Sequence, residues 1–174
     1  MVYLVTDNMV SCRVGQQLYN YYVLERWTEI LDNGGSLDAI YFDFMKAFDT
    51  VPHKRLIGKL ESYGISEDLI ELVKSFLTDR RQRVRVNGSC SDFQQVTSGI
   101  PQGSVLGPIL FVIYINDLPD KLESDCYMFA DDTKIFRQIA STSDNDILQS
   151  DVKKLENWSA TYGYLGFTQT NARL

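Results

Sequence analysis

The stretch CYMFADDTKIFRQ, from Cys126 to Gln138, is a mostly apolar, strand-like run cut by two adjacent aspartates. Asp131 and Asp132 sit between Phe129 and Ala130 on one side and Ile135 and Phe136 on the other. Carboxylates are expensive to bury unpaired, so that position needs a reason. CYMFA and TKIFRQI read as the two strands of a hairpin, with the doublet at its tip. Taken alone, the tip is an ordinary turn, because Asp accepts turn geometry and solvation. A bound cation is the other reading.

A third acid bears on the choice. LDAIYFDF (37–44) reads as a buried strand, and Asp43 lies near its end. Asp43 by itself could partner a buried arginine. If the two strands are neighbours, the three carboxylates converge, and their repulsion raises at least one pKa unless a cation intervenes. Oxygen donors with no nearby His or Cys suit Mg²⁺ or Mn²⁺. Two such ions about 4 Å apart are an apparatus for in-line phosphoryl displacement.

Two neighbouring segments add chemistry. In DFMKAFDTVPH, Phe48 could lie under the sugar of a nucleotide held at Asp43 and exclude a 2′-hydroxyl, but pattern alone favours a plain core aromatic. Asp49 reads as structural, with Thr50 and His53 as its expected partners, and His53 as a surface or capping residue. SGIPQGSVLGP (98–108) has Gly99, Gly103 and Gly107 for close backbone approach, Pro101 to stiffen it, and Gln102 with both donor and acceptor. It suits a loop packed on a nucleotide, or a plain turn before a helix.

The remaining pattern is α+β. Val23, Leu24, Trp27, Ile30 and Leu31 mark one helical face, stopped by DNGG at 32–35. Ser66 caps a second helix carrying Leu69, Leu72, Val73, Phe76 and Leu77. Gln82–Val86 and Phe93–Thr97 form a hairpin. VLGPILFVIYI is apolar all round and reads as a buried helix with Pro108 in its first turn. Ile147, Leu148, Val152, Leu155 and Trp158 mark a last amphipathic helix. Helices packed on a mostly antiparallel sheet follow.

At 174 residues and 44% hydrophobic, the chain is one domain or a piece of one, with enough apolar content for a core. No run is long enough to span a membrane and the start lacks signal-peptide character, so no membrane partner is expected. Three scattered cysteines point to an intracellular home, nucleus or cytoplasm. A net charge of −6 argues against a simple nucleic-acid coat. Yet Arg80, Arg81, Arg83 and Arg85 cluster in RRQRVRV, which is either a nucleic-acid contact or a solvated salt-laced surface.

YFDFMKAFDTVPHKRL, TSGIPQGSVLGPILFVIYINDLP and FADDTK, in this order, resemble the catalytic blocks of the reverse transcriptase domain of non-long-terminal-repeat retrotransposons. The likeness runs from about Cys12 to Tyr162. It implies a palm with a ferredoxin-like antiparallel sheet and helices packed on it, plus part of the fingers, the thumb missing. On that plan 1–36 leads into fingers and palm, 37–140 is the catalytic palm with inserted fingers elements, and 141–174 is a palm helix and a truncated end. The implied activity is RNA-directed DNA synthesis, with an RNA template, a DNA primer and deoxynucleoside triphosphates as partners. Asp43 and Asp131 would ligate both ions, Asp132 would be a nearby, less direct partner, and the Phe44 carbonyl would complete one coordination shell. Phe48 becomes the sugar gate, and Gln102 and Gly103 become contacts to nucleotide and template. The arginine hairpin would lie near the duplex or the priming strand.

The chain also departs from the family pattern. In SCRVGQQ, Arg13 and Gly15 match but Ser11 and Cys12 do not. The basic finger-tip strands are expected before residue 1, and the thumb beyond the end, both in a parent polyprotein. YLGFTQTNARL lacks the lysine that the family uses to protonate the departing pyrophosphate. The alternative is therefore a catalytically dead remnant that binds nucleic acid or protein.

Overall fold

The computed structural model describes residues 9–44, 46–162 and 167–174. The helices are α1 (Met9–Asp32), α2 (Ala47–Thr50), α3 (His53–Ser62), α4 (Glu67–Leu77), α5 (Leu106–Ile115) and α6 (Thr142–Tyr162). The strands are β1 (Leu37–Phe44), β2 (Arg81–Gln82), β3 (Arg85–Val86), β4 (Ser89–Cys90), β5 (Gln94–Gln95), β6 (Asp125–Phe129), β7 (Asp132–Gln138) and β8 (Phe167–Arg173). The side chains around Cys12, Arg13 and Gly15 lie outside the described residues.

The chain divides into two compact units. The first takes in the described residues up to Asp43, then Pro119–Glu156 and Phe167–Leu174. Its centre is a four-stranded sheet in the order β6-β7-β1-β8. β1 runs antiparallel to β7, from Leu37 opposite Gln138 to Asp43 opposite Asp132. β6 is antiparallel to β7, from Asp125 opposite Phe136 to Phe129 opposite Asp132. On the far side Leu37 and Leu174 exchange backbone hydrogen bonds of 3.1 and 3.0 Å, the reciprocal pairing of antiparallel strands.

Strand alternation decides what each face packs against. Leu37, Ala39 and Phe136 share one face with Val23, Trp27 and Ile30 of α1, and Trp27 meets the Phe136 ring edge-on at 5.7 Å. Burying a side chain of that size contributes about 1.5–3 kcal/mol. The alternate residues Ile40, Phe42, Thr133 and Ile135 are buried on the other face. Arg137 follows that alternation and holds Asp144, in the first turn of α6, at 3.0 Å. One turn pair further along α6, Asp151 is fully buried and accepts backbone N–H bonds from Glu123 and Ser124, the latter at 2.7 Å. It thereby fixes the start of β6.

The second unit spans Phe44–Leu118 and the segment from Asn157. Leu56, Leu60, Ile70, Val73, Leu77, Leu110, Phe111 and Tyr114 form its core. Lys59 is its one buried cation among the described residues. Lys59 donates to Asp117 Oδ1 at 2.6 Å and to the Tyr114 carbonyl, and its ammonium lies 4.0 Å from the Tyr162 ring centroid and 5.1 Å from that of Trp158. Trp158 Nε1 donates to the same Asp117 oxygen at 3.1 Å. Attraction to aromatic faces adds to the ion pair, and together they clamp the last turn of α6 to α3 and α5.

Several expectations need correction. The stripe on α1 is narrower than the periodicity predicts, because Leu24 and Leu31 are exposed. On α4 the buried positions are Ile70, Val73 and Leu77, while Leu69 and Leu72 face solvent. Ser66 is the N-cap of α4 but its side chain makes no cap bond. The predicted arginine hairpin is two short hairpins: β2 pairs with β5, and β3 pairs with β4 across the Asn87-Gly88 turn. Both turn residues have positive φ, 49° and 86°, as a tight two-residue hairpin turn requires. The sequence offers no strand signal at Phe167–Arg173, yet this segment supplies edge strand β8.

Candidate active site

The register places the acids. Asp43 and Asp132 are direct partners across the β1–β7 ladder, so their Cα atoms lie about 5 Å apart and their side chains leave the same face. Phe129 also pairs with Asp132, which leaves only Ala130 and Asp131 in the β6–β7 loop. Asp132 is therefore the first residue of β7 and not part of the tip. Ala130 takes φ +52°, a left-handed conformation that a β-carbon disfavours, and so closes the turn at some strain.

The three acids form one electrostatic group. Partial burial raises the Asp132 pKa, the Asp131 and Asp43 charges raise it further, and the Lys134 ammonium opposes them. The premise that these acids are embedded in apolar surroundings does not hold: Asp43 and Asp132 are exposed. The apolar neighbours in sequence point into the two faces, and the acids end the ladder where water reaches them.

A cavity of about 100 Å³ lies beside the pair, lined by Tyr41, Phe42, Asp43, Asp132, Thr133, Lys134 and Thr170. The Thr133 hydroxyl, on the sheet's other face, is buried with no hydrogen-bond partner among the described residues. Lys134 donates to Asn20 Oδ1 at 3.2 Å, and its ammonium stands 5.5 Å from the Tyr41 centroid. The donors that Asp43 and Asp132 bring are carboxylate oxygens, with no imidazole or thiol among the described lining residues, and that set fits a hard divalent cation. Among the described residues no three His, Cys, Asp or Glu side chains already enclose a metal ion. Two acids are thus in place across the ladder, and Asp131 stands in the loop beside them.

The other predicted residues belong to the second unit. Phe48 is half-buried, stacked on Phe111 at 4.5 Å, and its carbonyl accepts from the Ile100 N–H at 2.7 Å. Phe44 is buried and packs at 6.0 Å from Trp158. Gln102 is exposed and donates to Asp49 Oδ1 at 3.2 Å. Asp49 therefore takes its partner from the PQGS loop, where Thr50 and His53 were expected. Thr50 bonds back to the Lys46 carbonyl, and His53 Nε2 lies 2.8 Å from the Gly99 carbonyl.

The glycines of this loop serve the chain's own backbone. At Gly99, with φ +88°, a β-carbon would stand 2.7 Å from the Asp49 carbonyl oxygen. At Gly107 it would stand 2.9 Å from the Pro101 oxygen. Gly103 has φ +81° with open space around it, so it serves the turn and leaves room beside it. Arg173, the cation nearest the chain's end, forms a two-pronged pair with Asp38 at 2.7 Å for each bond. Sequence reasoning missed that pair, as it missed Lys59 and Asp151. Each joins positions far apart in the chain, and no local spacing announces them.

Comparison with known proteins adds to this geometry. Residues 5–165 match the family described as reverse transcriptase (RNA-dependent DNA polymerase). The chain is 32% identical over 144 residues, 75% of its length, to the RNA-directed DNA polymerase from mobile element jockey of Drosophila melanogaster, of which it covers 16%. It is 38% identical over 97 residues, 52% of its length, to the probable RNA-directed DNA polymerase from transposon BS of the same fly, of which it covers 10%. The chain thus spans less than a fifth of the length of these curated relatives. Among solved structures, apo telomerase from Candida tropicalis, truncated from its C-terminal domain, superposes with a TM-score of 0.60 at 16% identity, over 90% of this chain and 35% of that one. The Candida tropicalis telomerase in complex with a fragment of telomeric RNA gives 0.64 at 15% identity, over 90% and 29%. At that identity the likeness is one of fold.

Proposed function

Because the chain belongs to the reverse transcriptase (RNA-dependent DNA polymerase) family and its relatives are retrotransposon polymerases, we propose that it carries the nucleotidyl-transfer centre of an RNA-directed DNA polymerase. The reading is that deoxynucleotides are added to a DNA 3′-hydroxyl on an RNA template. The observation that carries it is the ladder pairing of Asp43 with Asp132 beside Asp131. Strands distant in the chain present their acids together at the end of a sheet of order β6-β7-β1-β8, and that order supports reading it as a ferredoxin-like palm. The second unit's short hairpins and PQGS loop are then inserted fingers elements.

Two divalent ions, when bound, would supply Lewis-acid activation of the 3′-hydroxyl and neutralise the departing diphosphate. Asp43, Asp131 and Asp132 would hold them, with the Phe44 carbonyl completing one shell. The mutual repulsion of the acids favours cation binding, since a cation relieves it. Phe48, pinned by Phe111, would present a rigid edge to the sugar and bar a 2′-hydroxyl. Gln102 would exchange its Asp49 bond for the nucleotide or template, using the space left by Gly103.

Primer extension on an RNA template with Mg²⁺ tests this. Extension is expected, falling about a hundred- to a thousandfold in Asp43→Asn and in Asp131→Asn, the loss typical when transition-state charge stabilisation is removed. Variants that extend like the wild type would refute the assignment. A second reading, a non-catalytic remnant that binds nucleic acid or protein, draws on the C-terminal segment. It has no lysine, and Arg173 is committed to Asp38. That reading expects no extension and binding that does not depend on Mg²⁺.

A further inference from the structure

The arginines with described side chains fall into two sets. Arg26 donates to Glu29, Arg55 to the Thr161 carbonyl, Arg137 to Asp144, and Arg173 to Asp38. The Arg80, Arg81, Arg83 and Arg85 side chains make no hydrogen bond or ion pair with any described residue, their bonds being those of the backbone. All four lie on the double hairpin of β2–β5, inside the second unit. From Arg81 through Gln95 every residue is exposed, and Arg80 is half-buried. The only acids in 79–95 are Asp79 and Asp92, so this segment is positive within a chain of net charge −6.

The same surface carries unspent apolar groups. Val84, Val86 and Phe93 are 65%, 61% and 56% exposed. The Arg83 guanidinium stacks over the Phe93 ring at 4.7 Å from its centroid. Such a pair is a flat, cationic platform with π area still open to solvent.

We propose that this double hairpin binds a single-stranded stretch of nucleic acid, with phosphates on the four guanidiniums and an unpaired base stacked at Phe93. The proposal deepens the polymerase reading by giving a strand outside the acid centre its own contact. Fixed positive charge alone would suit any polyanion. The exposed ring beside it selects among them: single strands offer free base faces to stack, whereas a duplex hides its faces and an acidic peptide has none.

Fluorescence anisotropy of a labelled twelve-nucleotide RNA, in EDTA, tests this without any metal or turnover. The single strand should bind more tightly than the same sequence as a duplex and than poly-glutamate. Arg81→Ala and Arg83→Ala should each flatten the log-affinity against log-salt slope by about 0.7. Phe93→Ala should weaken single-strand binding about tenfold with the slope unchanged, one stacked base being worth on that order. The side chains are exposed, so circular dichroism melts should match the wild type. Equal or tighter binding of duplex or poly-glutamate would overturn the proposal, as would an unchanged affinity in Phe93→Ala. Intact extension with no single-strand preference would sink only this inference. Intact binding with full extension by Asp43→Asn would sink only the active-site reading.

Discussion

Replacing Asp132 by Asn should make the metal-free protein more stable and the metal-loaded protein less so. Asp132 stands across the ladder from Asp43 with Asp131 next to it, and both neighbours raise its pKa after partial burial has done so. Two unit charges about 5 Å apart repel by ~0.8 kcal/mol in bulk water and about twice that at half its dielectric constant. Losing the attraction to Lys134 returns part of this, so the net gain should be about 0.5–1 kcal/mol. For a chain of this size that is roughly 1–4 °C in Tm. Because the folded pKa is raised, the charge repulsion is absent while Asp132 is protonated and grows as pH rises through the shifted value. The advantage of Asp132→Asn should therefore be full at pH 7 and vanish below the carboxylate range. Thermal melts in EDTA across pH, repeated with about 10 mM Mg²⁺, give the answer. In Mg²⁺ the wild type should gain stability by ligand linkage and the variant should not. A variant less stable than the wild type at pH 7 in EDTA, or an advantage that ignores pH, would refute the electrostatic reasoning.

Three further outcomes can be checked on the same protein. Lys59→Met leaves Asp117 without its ammonium, and breaking a buried pair of this kind should cost about 3 kcal/mol in urea unfolding, with amide exchange rising first in the last turn of α6. At Asp151 burial alone would raise the pKa, but Lys154 and the N–H groups of Ser124 and Glu123 outweigh it and hold the carboxyl low. Its contribution is present above the ordinary carboxylate pKa and lost as pH falls through the lowered one. Asp151→Ala should thus cost about 2–3 kcal/mol at neutral pH and flatten the acid limb of stability. Ala130→Gly should add about 0.5–1 kcal/mol, because glycine accepts φ +52° without strain; a loss in chemical denaturation would contradict the turn geometry.

Much of the fold was legible because it rests on local chemistry. Apolar, strand-like runs marked β1, β6 and β7, and the run apolar all round marked α5. The stripes on α1 and α4 were misread by a residue or two because exposed leucines keep helical spacing as well as buried ones do. The arginine hairpin was misread because its strands bury nothing, so no core enforces one long register. β8 was missed because FTQTNAR is polar and draws its strand character from pairing beside β1.

The acids themselves were written in the chain: three aspartates at strand ends, of a type and order that carry the family likeness. Their partnership was not. Whether Asp43 meets Asp131 or Asp132 depends on the β1–β7 register, and a shift of one residue would send the side chain to the opposite face. That register is set by distant hydrophobic packing, Leu37, Ala39 and Phe136 against Trp27, and no local pattern encodes it. The same holds for Lys59 with Asp117, Arg173 with Asp38 and Gln102 with Asp49. Side-chain chemistry is a property of single residues and can be read from their order, whereas charge pairing depends on three-dimensional distance, which exists only once the core has closed.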